Sequence, residues 1–142
     1  MAYREKLAWL TLGAMVIAYG IYFTWLGLAL RHGEPTLLGI LLPFGIIAGT
    51  QGIVVLIASA ILSARARRDG QAPADERDRA IARRGASVAY YVLLVGMILV
   101  GVIMPFTEPA WKVVNAALLA IVIAEAVSLI LVINSYRRGW HG

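Results

Sequence analysis

The chain has 142 residues, of which 61% are hydrophobic and 15% charged, and its formal net charge is +5. Soluble domains are nearer half apolar and a quarter charged, so this composition indicates a protein that folds in lipid. Cysteine is absent, which excludes disulfides and thiolate metal sites, and the two histidines lie far apart at His32 and His141. We therefore expect no metal and no cofactor.

Four apolar runs fill most of the chain and predict one domain, residues 1–142, of the all-α integral membrane class. A helix rises about 1.5 Å per residue, so some twenty apolar residues cross a hydrocarbon layer about 30 Å thick. The predicted transmembrane helices cover about 7–30, 36–63, 86–104 and 110–134, arranged as two hairpins. A cytoplasmic loop, 64–85, joins the hairpins and contains a short helix that leads into the third span.

The first run begins after Arg4 and Lys6 and stays apolar as far as Leu30. A secretory signal peptide has an apolar core of only about 7–15 residues that ends at a small-residue cleavage site. We expect this longer run to be retained as the first transmembrane helix.

The second run contains Pro43, which predicts a kink because proline removes one backbone hydrogen bond. Beyond it lie Gly45, Gly49 and Gly52, spaced so that another helix can approach the backbone closely. This glycine face predicts either a seam between two copies of the chain or a close contact within one copy.

The fourth run holds one ionisable residue, Glu125, about ten residues from the basic end of the helix. A carboxylate near the middle of a bilayer costs a few kcal/mol, so it must face protein, find a donor or stay protonated. Small residues also recur every four positions and predict a packing face, for which a contact within the bundle is the favoured interpretation. They are Ala116, Ala120, Ala124 and Ser128.

Helical rise places Tyr19, Gln51 and Glu125 at similar depth in the membrane. If their faces converge, the Glu125 carboxylate would accept hydrogen bonds from the amide of Gln51 and the hydroxyl of Tyr19. Thr50 and Asn115 are weaker candidates. The sequence thus predicts a buried polar cluster of Glu125, Gln51, Tyr19 and Thr50.

The basic residues predict the orientation of the chain. All of them except Arg31 and Lys112 fall at the termini or in the loop 64–85. The positive-inside rule therefore places both termini and that loop in the cytoplasm of an inner-membrane protein.

Glu34-Pro35 and Glu108-Pro109 precede the second and fourth helices at matching positions, which leaves an internal duplication open.

The motif Asp75-Glu76-Arg77-Asp78 runs directly towards an apolar helix. It resembles the signature of a family of small bacterial and archaeal membrane proteins of unknown function, which carry D-E-R-(D/E) before their last helical hairpin. The resemblance covers about residues 70–135 and implies the same helix layout, with these four residues as the positions of interest. Some relatives are encoded beside small regulators, which implies a signalling role. The residues themselves fit a helix cap with topology charges or a partner-binding surface.

Two functions fit these features, and an enzyme is not expected because no nucleophile–base pair is evident. In the first, the chain is a structural or regulatory membrane protein in which Glu125 fixes helix packing or an oligomer. In the second, Glu125 exchanges protons or cations in a small dimeric transporter. The expected partners are the lipid bilayer, a second copy of the chain and a cytoplasmic protein at 64–85. Nucleic acid is not among them.

Overall fold

The computed structural model describes residues 3–70 and 76–138, and every regular element in them is helical. The four long helices are α1 (Tyr3–Ala29), α2 (Leu37–Arg68), α3 (Glu76–Ile98) and α4 (Ala110–Arg137). All four are long and apolar enough to cross a membrane. The predicted all-α class with four such helices is therefore confirmed.

The helices extend further than the sequence predicted at the end where α1 and α3 begin and α2 and α4 end, which we call the basic end. Helix α2 continues to Arg68, beyond its predicted end at residue 63. Helix α3 begins by Glu76, as predicted for the short helix that leads from the loop 64–85 into the third span. The reason is that arginine and alanine, which fill this segment, are good helix formers. Asp75, the expected helix cap, lies outside the described residues.

The opposite end of α3 loses its regular α-helical pattern. A π-helical turn, Leu99–Ile103, and a 3-10 turn, Met104–Phe106, follow the α-helix. Pro105 explains the change because it has no N–H to continue the hydrogen-bond ladder. Three residues, 107–109, connect this turn to α4, and the Lys112 ammonium in the first turn of α4 pairs with the Glu108 carboxylate at 2.7 Å.

Helix α4 is the central element of the packing. It contacts α3 extensively, α1 to a lesser degree and α2 slightly, while α1 also packs along α2. Helices α2 and α3 share no substantial interface within the described residues. The helices alternate in direction, as shown by contacts such as Arg4 with Asp78 and Trp9 with Arg137 at the basic end.

Close contact between α3 and α4 depends on two glycines of α3. A Cβ at Gly96 would lie 2.9 Å from the Cβ of Ala120, and one at Gly85 would lie 3.1 Å from the carbonyl oxygen of Ser128. Ala124 is also buried, one turn from each of these contacts on the α4 side. The predicted packing face of α4 therefore lies inside the chain, against α3.

The glycine face of α2 is different, because Gly45, Gly49 and Gly52 are all exposed. A Cβ at any of the three would have no heavy atom within 4 Å. A close contact within one copy is thus absent at these positions in the described chain. The alternative, a seam between two copies, stays a prediction.

A buried hydrophobic cluster lies towards the end opposite the basic end. Tyr22 and Ile40 are fully buried there and Leu26 nearly so, with the rings of Phe23 and Phe44 packed edge-on against Tyr22 at 5.0 and 5.1 Å. This cluster joins α1 to α2 and, through Trp111, Val114 and Leu118, to α4. Aromatic pairs of this geometry contribute about 0.5–1.5 kcal/mol each beyond the area they bury.

Candidate functional site

The predicted polar cluster does not form in the described chain. Glu125 and Thr50 are exposed, whereas Tyr19 and Gln51 are half-buried. The Tyr19 ring stacks on Phe44 at 5.5 Å. None of the four forms a hydrogen bond within residues 3–70 and 76–138. Similar depth in the membrane does not by itself bring these side chains together, because the rotation of each helix about its axis decides which of its side chains meet a neighbouring helix.

Glu125 instead lines a pocket of about 470 Å³ between α1, α3 and α4. The pocket extends along α4 from Glu125 to Tyr136, which is eleven residues or about 16 Å of helix. Its charged groups and Tyr136 stand at the two ends, with Glu125 at mid-helix and the others near the basic end, and between them the lining is apolar apart from the Thr11 hydroxyl. The lining residues are Arg4, Leu7, Ala8, Thr11, Asp78, Ile81, Ala82, Glu125, Leu129, Val132 and Tyr136.

Three side chains at the basic end of this pocket form what we call the polar clamp: Arg4, Asp78 and Tyr136. The Tyr136 hydroxyl donates a hydrogen bond to the Asp78 carboxylate, and the Arg4 guanidinium lies 3.7 Å from the other Asp78 oxygen. The clamp therefore ties α1, α3 and α4 together. It also gives Asp78, the last residue of the charged motif, a structural role within the chain.

The other motif residues are placed differently. Glu76 is exposed in the first turn of α3, where its negative charge interacts favourably with the positive end of the helix dipole. Arg77 is half-buried and engaged in further interactions. A partner-binding surface at this motif would thus present Glu76 rather than Asp78.

A second polar contact lies in the core at the end of the bundle opposite the basic end. The buried Tyr22 hydroxyl donates to the Asn115 amide oxygen at 2.7 Å, and the Asn115 amide nitrogen donates to the Trp111 carbonyl at 2.8 Å. Sequence reasoning missed the role of Tyr22 and ranked Asn115 low. The available signal was that an amide inside an apolar run must be satisfied by a neighbouring helix.

The Trp111 indole nitrogen is buried near this contact and has no hydrogen-bond partner within the described residues. Satisfying it would require a group from outside the described chain. No three histidine or acidic side chains in residues 3–70 and 76–138 are grouped so that they could hold a metal ion.

Comparison with known proteins adds no identity: no family model, no curated protein and no solved structure matches this chain. The resemblance based on Asp75-Glu76-Arg77-Asp78 therefore stays a prediction.

Proposed function

We propose that the chain is an inner-membrane protein that crosses the bilayer four times as two helical hairpins, with both termini in the cytoplasm. The apolar surface supports this, because only 6% to 17% of the residues in the most apolar window of each helix are buried within the chain. In water such surfaces would form very large exposed patches. All basic residues except Arg31 and Lys112 belong to the helix ends at the basic end, which fits the positive-inside rule.

The absence of cysteine makes this topology directly testable. Single cysteines replacing Glu34 and Glu76, both exposed, provide one reporter at each end of the bundle. In intact spheroplasts, a membrane-impermeant maleimide should label Glu34→Cys, and label Glu76→Cys only after permeabilisation. Labelling in the reverse pattern would overturn the orientation, and labelling of both in intact spheroplasts would overturn the four-span topology.

Within this topology we propose a structural or regulatory membrane protein that self-associates, with Glu125 in the contact between copies. The observation that carries this proposal is the exposed Glu125 carboxyl, which has no hydrogen bond or ion pair within the described chain. An acid at that depth requires protein, a ligand or a proton. A second copy supplies protein, and the open glycine face of α2 provides a surface on which copies can pack closely.

A second candidate function, a small proton-coupled transporter, is favoured by the pocket. The cavity connects Glu125 at mid-helix with the basic end, as an exchanging carboxylate with access from one side requires. Protons or small cations would then reach Glu125 through the pocket between α1, α3 and α4, past the Thr11 hydroxyl.

Two substitutions at Glu125 separate these functions. If Glu125 is a subunit contact, Glu125→Gln keeps a hydrogen-bonding group and should leave oligomer size unchanged, whereas Glu125→Leu should alter oligomer size or thermal stability. If Glu125 is an exchange site, Glu125→Gln should abolish substrate-dependent proton flux in liposomes while the protein remains folded. Silence of both variants in both assays would exclude a functional role for this carboxyl.

A further inference from the structure

A second pocket, of about 310 Å³, lies between the basic ends of α3 and α4 and is separate from the one that contains Glu125. Its wall on α4 is a single face formed by Leu131, Asn134, Ser135 and Arg138, and α3 contributes Arg84. Gly85, next to Arg84, brings the two helices together here through its contact with Ser128.

The pocket presents hydrogen-bond donors and no acidic side chain. The guanidinium groups of Arg84 and Arg138 carry positive charge, and Arg84 also interacts with another group of the chain. The Asn134 amide and the Ser135 hydroxyl add neutral donors. Arginine pairs with phosphate oxygens through two parallel N–H bonds, and two arginines on different helices suit a group with several oxygens. The chemistry therefore selects an anion, and a phosphate in particular.

Ser135 adds a hydroxyl donor to the wall of the pocket. Only 6% of this residue is exposed, yet its hydroxyl has no hydrogen-bond partner within the described residues. Ser59 and Ser63 behave differently, because each donates to a carbonyl of its own helix, at 2.8 and 2.9 Å. The Ser135 hydroxyl lines the pocket without bonding to its own helix, so its donor is available to a ligand in the pocket.

The surroundings indicate the source of the phosphate. Leu131 forms the apolar part of the pocket, and exposed Val88, Tyr91 and Val95 continue along α3 from Arg84 at helical spacing. In the proposed membrane orientation, the arginines would stand at the headgroup level and this apolar strip would face the acyl chains. We propose that the pocket binds the phosphate of an anionic phospholipid on the cytoplasmic side.

The experiment uses the full chain in detergent with phosphatidylglycerol as the probe, and bound lipid is quantified by native mass spectrometry. Arg84→Gln and Arg138→Gln should each weaken binding about tenfold or more, since a direct hydrogen bond to a charged group contributes about 1.5–3 kcal/mol. Ser135→Ala should weaken it about two- to tenfold, as expected for one neutral hydrogen bond. Circular dichroism and elution volume establish that each variant is folded.

Arg83→Gln and Arg137→Gln are matched controls, because each removes the same charge from a neighbouring position that does not line the pocket. They should bind lipid like the unchanged protein. Equal losses in all four arginine variants would mean a diffuse electrostatic attraction and would overturn the site. Equal affinity for phosphatidylcholine would overturn the requirement for an anionic lipid, and displacement by millimolar inorganic phosphate would assign the pocket to soluble phosphate instead. Because the cysteine labelling above tests topology separately, failure of the lipid site leaves the proposed function standing.

Discussion

Replacing Tyr22 with phenylalanine tests how α1 and α4 recognise each other. The change keeps the ring, and therefore the contacts with Phe23 and Phe44, but removes the hydroxyl that donates to Asn115 at 2.7 Å. The Asn115 amide oxygen is then left buried without that donor, which costs about 1–3 kcal/mol in proteins generally. Hydrogen bonds between transmembrane helices contribute less, about 0.6 kcal/mol on average and at most about 1.7. We expect a loss of roughly 0.6–1.7 kcal/mol in the free energy of unfolding.

The assay is equilibrium unfolding in mixed micelles of a mild detergent and sodium dodecyl sulfate, followed by tryptophan fluorescence. Tyr19→Phe is the matched control, since the Tyr19 hydroxyl forms no hydrogen bond within the described residues. A double-mutant cycle of Tyr22→Phe with Asn115→Ala should give a coupling energy of about 1 kcal/mol, and the same cycle with Tyr19→Phe should give none. If Tyr22→Phe unfolds like the unchanged protein and shows no coupling, the hydrogen bond does not hold these helices together.

Two further outcomes follow from the packing. In the polar clamp, Tyr136→Phe should lower the free energy of unfolding by about 1–2 kcal/mol because it removes a hydrogen bond to the Asp78 carboxylate. Arg4→Gln should lower it by no more than about 1 kcal/mol because the ion pair between Arg4 and Asp78 is partly exposed. Thermal unfolding in detergent measures both, and a larger effect of Arg4→Gln would contradict the assignment. Gly96→Ala should lower the unfolding temperature, since its new methyl meets Ala120, whereas Gly49→Ala meets nothing within the chain and should not. Loss of oligomer in Gly49→Ala would instead locate the subunit seam on α2.

The sequence alone predicted the elements well because their lengths and ends follow from simple local rules. Apolar runs long enough to cross a bilayer predicted the four helices. The positions of the arginines along the chain predicted that they lie together at one end of the bundle. The charged motif was predicted to lead into the third helix without a break, and α3 does run continuously from Glu76 to Ile98. The extension of α2 to Arg68 was not predicted, because a charged segment between two apolar runs indicates a loop.

Only the tertiary structure decided which faces meet. Helices that are apolar on every side carry no periodic signal for their buried face, and lipid is as apolar as their partners, so rotation depends on small residues and a few polar contacts. Gly96 and Gly49 look alike in sequence, yet one packs against Ala120 and the other faces outward. For the same reason, it is Tyr22 and not Tyr19 that forms the hydrogen bond to Asn115 across the core. Glu125 was recognisable as an acid at mid-helix from the sequence, but its place on a pocket wall follows only from how α1, α3 and α4 pack.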